Sequence, residues 1–365
     1  MSRRFRLGRS FEPDELDGRE GYAREGRAQS KRRQQRAERL ETDIGQHDLE
    51  TLLRLPDATP WLHLPEAILV QRHSQWVDLE LPDRSLMLAT LSGKLKGVKL
   101  CCGDRVRYSP VPLETDQTFD PKLPQAQVVA VMPRRTLLKR GGIDDREPWQ
   151  LMAANADELW VCAAVVDPPL RPGLLERAQV LALAAGMPLR IIVTKRDRVS
   201  KKDTLPELDP LREQGVPIHE TAALKDEGVA ELQALLQGRT AVLIGHSGVG
   251  KSTLVNALHP AAALRTGDLT RFGTGRQTTT AARWLPLEGG GTLIDTPGIR
   301  NLSVRGFDRA LLAKVFPEFP AEWLEDPMAL DPEDEDLDLA YPERLQSLQR
   351  LWLEMDERNP NARGA

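Results

Sequence analysis

Eight consecutive residues constrain this chain more than any other stretch: Gly245-His246-Ser247-Gly248-Val249-Gly250-Lys251-Ser252, between the apolar run Thr240–Ile244 and the helical run Ser252–Leu258. A strand, a Gly-rich turn, a Lys-Ser pair and a helix in this order make a phosphate-binding loop. Glycine at 245, 248 and 250 lets the chain fold back so that successive backbone N–H groups converge on phosphate oxygens, at a helix amino terminus that already favours anions. Lys251 is then placed to neutralise the β- and γ-phosphates and the Ser252 hydroxyl to bind Mg²⁺, with His246, Ser247, Val249 and Thr253 completing the cradle. Such a loop belongs on a parallel sheet covered by helices on both faces.

The flanking sequence predicts that sheet. Leu159–Val166 is a continuous apolar run, Pro172–Ala185 has helical spacing with Pro at its start and Gly186 at its end, and Leu189–Val193 is a second buried strand. Val229–Leu236 reads as a helix leading to the strand Thr240–Ile244. Three further segments then find places around the loop. Asp295-Thr296-Pro297-Gly298 ends the apolar run Thr292–Ile294, where the Asp295 carboxylate can hold Mg²⁺ and the Gly298 N–H can face the γ-phosphate. Thr194-Lys195-Arg196-Asp197 follows the strand Leu189–Val193, and a carboxylate at Asp197 accepts from both N1–H and the exocyclic amine of guanine, a donor pair adenine lacks. The pattern therefore selects GTP over ATP, with the Lys195 stem along the purine face and Thr221-Ala222 offering an N–H to the guanine oxygen. Gly275-Arg276-Gln277-Thr278-Thr279-Thr280 lies in a connection without apolar period and reads as a switch segment whose Thr hydroxyl reaches Mg²⁺ when the γ-phosphate is present. Spacing does not decide which threonine does so; we assign Thr279 to the metal and Thr280, with Lys251 and Gln277, to the catalytic set.

At 365 residues the chain exceeds the size at which one core stops growing. Its 40% apolar and 28% charged content is that of a folded soluble protein, and no run approaches the roughly 18 apolar residues of a membrane span. Three cysteines, Cys101, Cys102 and Cys162, make neither a disulfide framework nor a metal-ligand spacing, which fits a reducing, cytoplasmic setting. Residues 1–40 hold 12 Lys or Arg against 7 acids and few large apolar residues, which reads as a basic flexible arm, either touching nucleic-acid phosphates or simply solubilising. Residues 325–339 contain eight acids and no base, and are expected to be solvated and irregular. Between Ile68 and Leu138 five short extended runs, Ala67–Val70, Trp76–Leu81, Ser85–Leu91, Asp104–Tyr108 and Gln127–Val131, predict a small OB-like barrel.

The base-reading segment Thr194–Asp197 precedes the phosphate loop, and Asp295–Gly298 comes last, so the motif order is circularly permuted. This order, with Leu137-Leu138-Lys139-Arg140, Ala153-Ala154-Asn155-Ala156-Asp157, Asp167-Pro168-Pro169, Gly275–Thr280, Asp295–Arg300 and Phe316-Pro317-Glu318-Phe319, resembles the RsgA/YjeQ family of small-ribosomal-subunit-dependent GTPases over roughly residues 65–320. The resemblance implies an α/β P-loop GTPase domain, circularly permuted, preceded by an OB-like barrel, and hydrolysis stimulated by the small subunit late in its assembly. The expected partners are the small subunit and its rRNA, with no membrane, and the chain is expected to be a monomer. We divide it into a basic arm (1–60), barrel (61–139), GTPase domain (140–305) and helical, acidic carboxy-terminal region (306–365). Two departures from the family stand out. Its usual zinc site of three Cys and one His has no ligands here, since no Cys follows Cys162 and no His follows His259, so no zinc is expected. Gln277 stands where the family's switch usually has His, and Gln can orient a water by donating and accepting hydrogen bonds. The expectation is slow intrinsic turnover that a partner accelerates; a GTP-dependent regulatory or RNA-binding module acting elsewhere is the alternative.

Overall fold

Strands β1 (Glu66–Arg72), β2 (Trp76–Glu80), β3 (Leu86–Leu91), β4 (Arg105–Pro110) and β5 (Ala126–Val131) close into a barrel in the order β1-β2-β3-β5-β4. Its ladders are antiparallel except for β3 against β5. Alternate residues Leu69, Val77, Leu79, Ala89, Val106 and Val128 point inward and are buried, which is the period-2 pattern of a small OB-like barrel. The computed structural model describes residues 55–73, 76–110, 124–144, 147–200, 203–260, 282–296, 302–332 and 342–356. Of the basic arm (1–60), residues 1–54 fall outside them. Pro56–Ala365 form one compact unit.

After the barrel comes an antiparallel hairpin of β6 (Leu137–Asp144) and β7 (Glu147–Ala154), which the sequence reading did not anticipate. Register shifts between Leu138 and Lys139 and between Gly141 and Asp144 break the alternation that would have marked it.

The second body is a six-stranded sheet of β8 (Glu158–Ala164), β9 (Leu189–Thr194), β10 (Ile218–Glu220), β11 (Thr240–Ile244), β12 (Arg283–Pro286) and β13 (Thr292–Asp295), ordered β10-β9-β8-β11-β13-β12. All neighbours are parallel except the edge pair β12 and β13. β8 is buried along its whole length, which is why it reads as an unbroken apolar run. Helices α1 (Pro172–Ala185), α2 (Asp209–Glu213), α3 (Val229–Leu236) and α4 (Lys251–Leu258) accompany the sheet. α1 starts with Pro172 in its first turn and stops at Gly186, whose φ of 63° makes a left-handed cap. Trp160, Cys162, Leu232, Leu243, Leu254 and Leu293 share the core that binds α3 and α4 to the sheet.

The carboxy-terminal region holds α5 (Leu312–Val315), α6 (Ala321–Glu325) and α7 (Pro342–Asp356). α7 is fastened to α1 by two arginine contacts. Buried Arg344 bonds Glu176 at 3.2 Å, Glu318 at 2.7 Å and the Val315 carbonyl at 2.7 Å, with its guanidinium 4.5 Å from the Phe316 ring centre. Arg177 of α1 reaches Glu354 of α7 at 2.7 Å. Part of the stretch expected to be solvated and irregular is instead held. Pro327 is buried in a 3-10 turn, and Gln349 of α7 donates to the carbonyls of Pro327 and Leu330, both at 2.8 Å. Residues 333–339 of that stretch lie outside the described residues.

Candidate nucleotide-binding site

β8, β9, β11 and β13 are parallel, so the chain segments leaving their carboxyl ends meet at one edge of the sheet, where ligands bind in open α/β sheets. Between β11 and α4 the phosphate loop turns at Gly245, whose added Cβ would lie 2.6 Å from the Cys162 carbonyl oxygen, so only glycine lets the loop pass this close to β8. Gly250, with φ +95°, turns the chain into α4. Buried Lys251 points its ammonium back into the loop, donating to the carbonyls of Gly245 at 2.6 Å and His246 at 3.0 Å. Burial pushes its pKa down, opposed by the neighbouring Cys162 and Asp295. Ser252 is exposed at the first turn of α4 and Thr253 half-buried behind it; Ser247 and Gly248 are exposed, His246 half-buried and Val249 buried. The loop therefore presents its rim and holds its apolar residue in the core.

The segment Thr194–Asp197 is joined to this loop directly. At the end of β9 the buried Thr194 hydroxyl donates to the Val249 carbonyl, and a Cβ on Gly250 would stand 3.6 Å from Thr194. Lys195 adopts the left-handed region at φ 58° and donates to the Asp167 carbonyl, which lays its stem across the loop, its Cε 4.0 Å from the Gly250 Cβ direction. Arg196 is tied down by Glu220 at 2.7 Å, and its N–H reaches the Thr221 carbonyl at 3.1 Å. That leaves Asp197 exposed on the 3-10 turn Arg196–Arg198. Thr221 bonds the Val193 carbonyl through its N–H at 2.7 Å and its hydroxyl at 3.1 Å, which sets Ala222 beside the same segment.

Asp295 ends β13 next to β11, paired in register with Leu243. Its Oδ1 is buried with no hydrogen-bond partner among the described residues, and burial raises its pKa, opposed by Lys251 and then Arg283. A buried, unpartnered carboxylate oxygen beside a phosphate loop is what a divalent cation needs, so the donor set fits Mg²⁺. The next residue, Thr296, is anchored by its hydroxyl on the Leu243 carbonyl at 2.8 Å. Gln277, Thr278, Thr279, Thr280 and Gly298 lie outside the described residues. Two contacts escaped the sequence reading. The Thr194 bond joins residues 55 apart through a backbone carbonyl, which no side-chain pattern signals. The Asp167 carbonyl left a trace only in the Asp167-Pro168-Pro169 run.

Fold and site together define a circularly permuted P-loop nucleotide-binding domain behind an OB-like barrel. Residues 131–305 match the family model described as RsgA GTPase. The small ribosomal subunit biogenesis GTPase RsgA of Neisseria meningitidis serogroup B is 39% identical over 237 residues, 62% of this chain and 69% of that protein. The protein of the same name from Chlorobaculum parvum is 35% identical over 218 residues, 60% of this chain and 70% of its own length. Among solved structures, YjeQ from Thermotoga maritima superposes with a TM-score of 0.58 at 25% identity, covering 81% of this chain and 99% of that one. YloQ, described as a circularly permuted GTPase, shares the fold with a TM-score of 0.54 at 21% identity, over 82% of this chain and 98% of its own. The chain belongs to the RsgA GTPase family and is a GTPase.

Proposed function

We propose that this GTPase acts in late maturation of the small ribosomal subunit and that the particle stimulates its hydrolysis of GTP. The observation that supports the site reading is the Thr194–Val249 bond, which joins the Thr194–Asp197 segment to the phosphate loop despite the permuted order. In this reading Asp197 accepts from the guanine N1–H and amine, Lys195 lies along the base, and Ala222 offers its N–H to the guanine oxygen. Backbone N–H groups from Gly245 to Thr253 and the Lys251 ammonium hold the phosphates, and Gly298 faces the γ-phosphate. Ser252, Asp295 and Thr279 would hold Mg²⁺, which supplies charge neutralisation at the phosphate oxygens when bound. Gln277 orients the attacking water and Thr280 fixes the segment around it. Catalysis is then mainly positioning and electrostatic stabilisation in a preorganised site.

The relatives' names supply the ribosomal context, and the five-stranded barrel gives a surface suited to rRNA. In this reading the protein is a cytoplasmic monomer; no helix among the described residues is long and apolar enough to cross a membrane. The division into arm (1–60), barrel (61–139), GTPase domain (140–305) and carboxy-terminal region (306–365) is supported by the barrel strands falling within Glu66–Val131 and the sheet within Glu158–Asp295. One observation favours a second reading, a GTP-dependent regulatory module that no longer works on the ribosome: the family's zinc ligands have no counterparts after Cys162 and His259. GTP turnover measured with purified small subunits, large subunits and neither separates the two. Acceleration by small subunits alone supports the first reading; equal rates in all three support the second.

A further inference from the structure

Asp197 stands on a turn of three charged residues, Arg196–Arg198, with no apolar side chain of its own to pack it down. Lys195, which leads into that turn, is in the left-handed region at φ 58°, a conformation a non-glycine residue keeps only where its surroundings impose it. Polar bonds must therefore fix the turn. The two arginines flanking Asp197 supply them, one toward β8 and one toward β10.

The two fastenings are unequal. Toward β8, Arg198 meets the Asp167 carboxylate at 3.3 Å, with the two side chains 51% and 80% exposed. Such a solvated pair contributes little. Toward β10, the Arg196 side chain is only 12% exposed, and its guanidinium bonds Glu220 Oε2 through Nε at 2.7 Å and the Asp203 carbonyl through Nη2 at 2.9 Å. The Arg196 backbone N–H also reaches the Thr221 carbonyl at 3.1 Å. Glu220 is itself fixed at the end of β10, in register with Val193 of β9. Its carboxylate ties the turn to the sheet by a short charge-assisted bond, and Arg196 is the link.

We propose that Glu220 is a specificity-determining positioning residue for guanine: through Arg196 it holds the Arg196–Arg198 turn so that the Asp197 carboxylate meets the N1–H and the exocyclic amine of the base together. The inference rests on the reading of Asp197 as the guanine acceptor. A contact to two donors at once demands a fixed orientation of the carboxylate, whereas a single hydrogen bond survives some rotation. Hypoxanthine keeps the N1–H and the oxygen of guanine but lacks the amine. The ratio of GDP to inosine diphosphate affinity therefore reads the double contact, separately from the phosphate loop.

The test uses the full chain with Glu220→Ala, Glu220→Gln, Arg196→Ala, and Glu220→Ala combined with Arg196→Ala. Calorimetric titration gives the Kd for GDP and for inosine diphosphate, and thermal melting follows the fold. A hydrogen bond to a charged acceptor corresponds to about tenfold in affinity or more, so the parent should prefer GDP by at least about that factor. Glu220→Ala is expected to shrink the preference by about threefold or more, and Glu220→Gln, which keeps an oxygen acceptor for the Arg196 Nε–H, to restore most of it. In the Arg196→Ala background, Glu220→Ala should change nothing further, because the link is already gone. A preference unchanged in Glu220→Ala overturns the inference, whether both nucleotides bind as before or both weaken by one factor, the mark of general destabilisation. So does an additive loss in the double variant. A parent that binds the two nucleotides equally well sinks the reading of Asp197 and this inference with it; a parent that prefers GDP, with the preference intact in Glu220→Ala, sinks this inference alone.

Discussion

Arg344→Ala removes the more buried of the two cations that fasten α7 to α1. Arg344 is 4% exposed and faces Glu176, itself 2% exposed, so the substitution strands a buried carboxylate rather than a surface one. Breaking a buried pair by deleting one partner costs about 3–5 kcal/mol. Glu176 has an escape: burial already raises its pKa above the ordinary 4.5, with Arg344 the leading opposing influence, so without Arg344 it takes up a proton more readily. That puts the cost near the lower end, about 3 kcal/mol. At about 2–4 °C per kcal/mol for a domain of this class, the melting temperature should drop by about 6–12 °C. The pH dependence gives a second handle. A carboxyl whose pKa rises on folding contributes stability that is fully present below its unfolded value of 4.5 and is lost as pH climbs through the folded value. Loss of Arg344 moves the folded value further up, so the variant is penalised least near about pH 5 and most near about pH 8. Calorimetry at fixed, saturating GDP reads both effects. A shift below about 2 °C at pH 8, or a penalty that is the same at both pH values, would refute the reasoning.

Other substitutions probe the site. Gly245→Ala drives a methyl group to within 2.6 Å of the Cys162 carbonyl, and the displaced loop should lose at least about tenfold in affinity for both GDP and GTP analogues, measured by fluorescent-nucleotide titration. Affinity equal to the parent's would show that β8 does not fix the loop. Thr194→Val keeps the shape but deletes the hydroxyl donated to the Val249 carbonyl; both nucleotides should weaken by about the same factor, of order tenfold, and selective loss of one would contradict the assigned role. Gln277→Ala should lower basal and stimulated turnover without altering GDP affinity, and unchanged turnover in both conditions would remove Gln277 from the catalytic set.

What the sequence could announce depended on how local each cause is. Pro172 and Gly186 bracket α1, the unbroken apolar run of β8 marks burial on both faces, and the glycines and Lys251 of the phosphate loop write the chemistry into eight adjacent positions. The barrel strands were legible because short extended runs are set apart by turn residues such as Pro82-Asp83 and Ser92-Gly93, even though register shifts interrupt β1 and the pairing of β4 with β5. The hairpin of β6 and β7 lacks that punctuation: Gly141, Gly142 and Pro148 fall inside its strands, and two register shifts scramble its alternation. The contacts that join the parts were illegible for a different reason. Glu80 and Trp284, hydrogen-bonded at 3.1 Å, are 204 residues apart, Glu176 and Arg344 168, and each residue alone looks like an ordinary surface charge or a core aromatic. Only the folded chain turns them into fastenings. The held portion of the acidic stretch follows the same rule, since Gln349 lies 22 residues beyond Pro327.

The account stands or falls with guanine recognition by Asp197. Xanthine carries an oxygen where guanine has its amine, so an amide at this position can donate to xanthine where the carboxylate accepts from guanine. Asp197→Asn gives up hydrogen bonds to a charged acceptor worth about 3 kcal/mol in total, which corresponds to about 100-fold in affinity. Titration of the variant with both nucleotides should therefore show GTP weakened by about that factor and xanthosine triphosphate bound better than by the parent. Undiminished GTP binding together with no gain for xanthosine triphosphate would contradict the placement of the base at Thr194–Asp197.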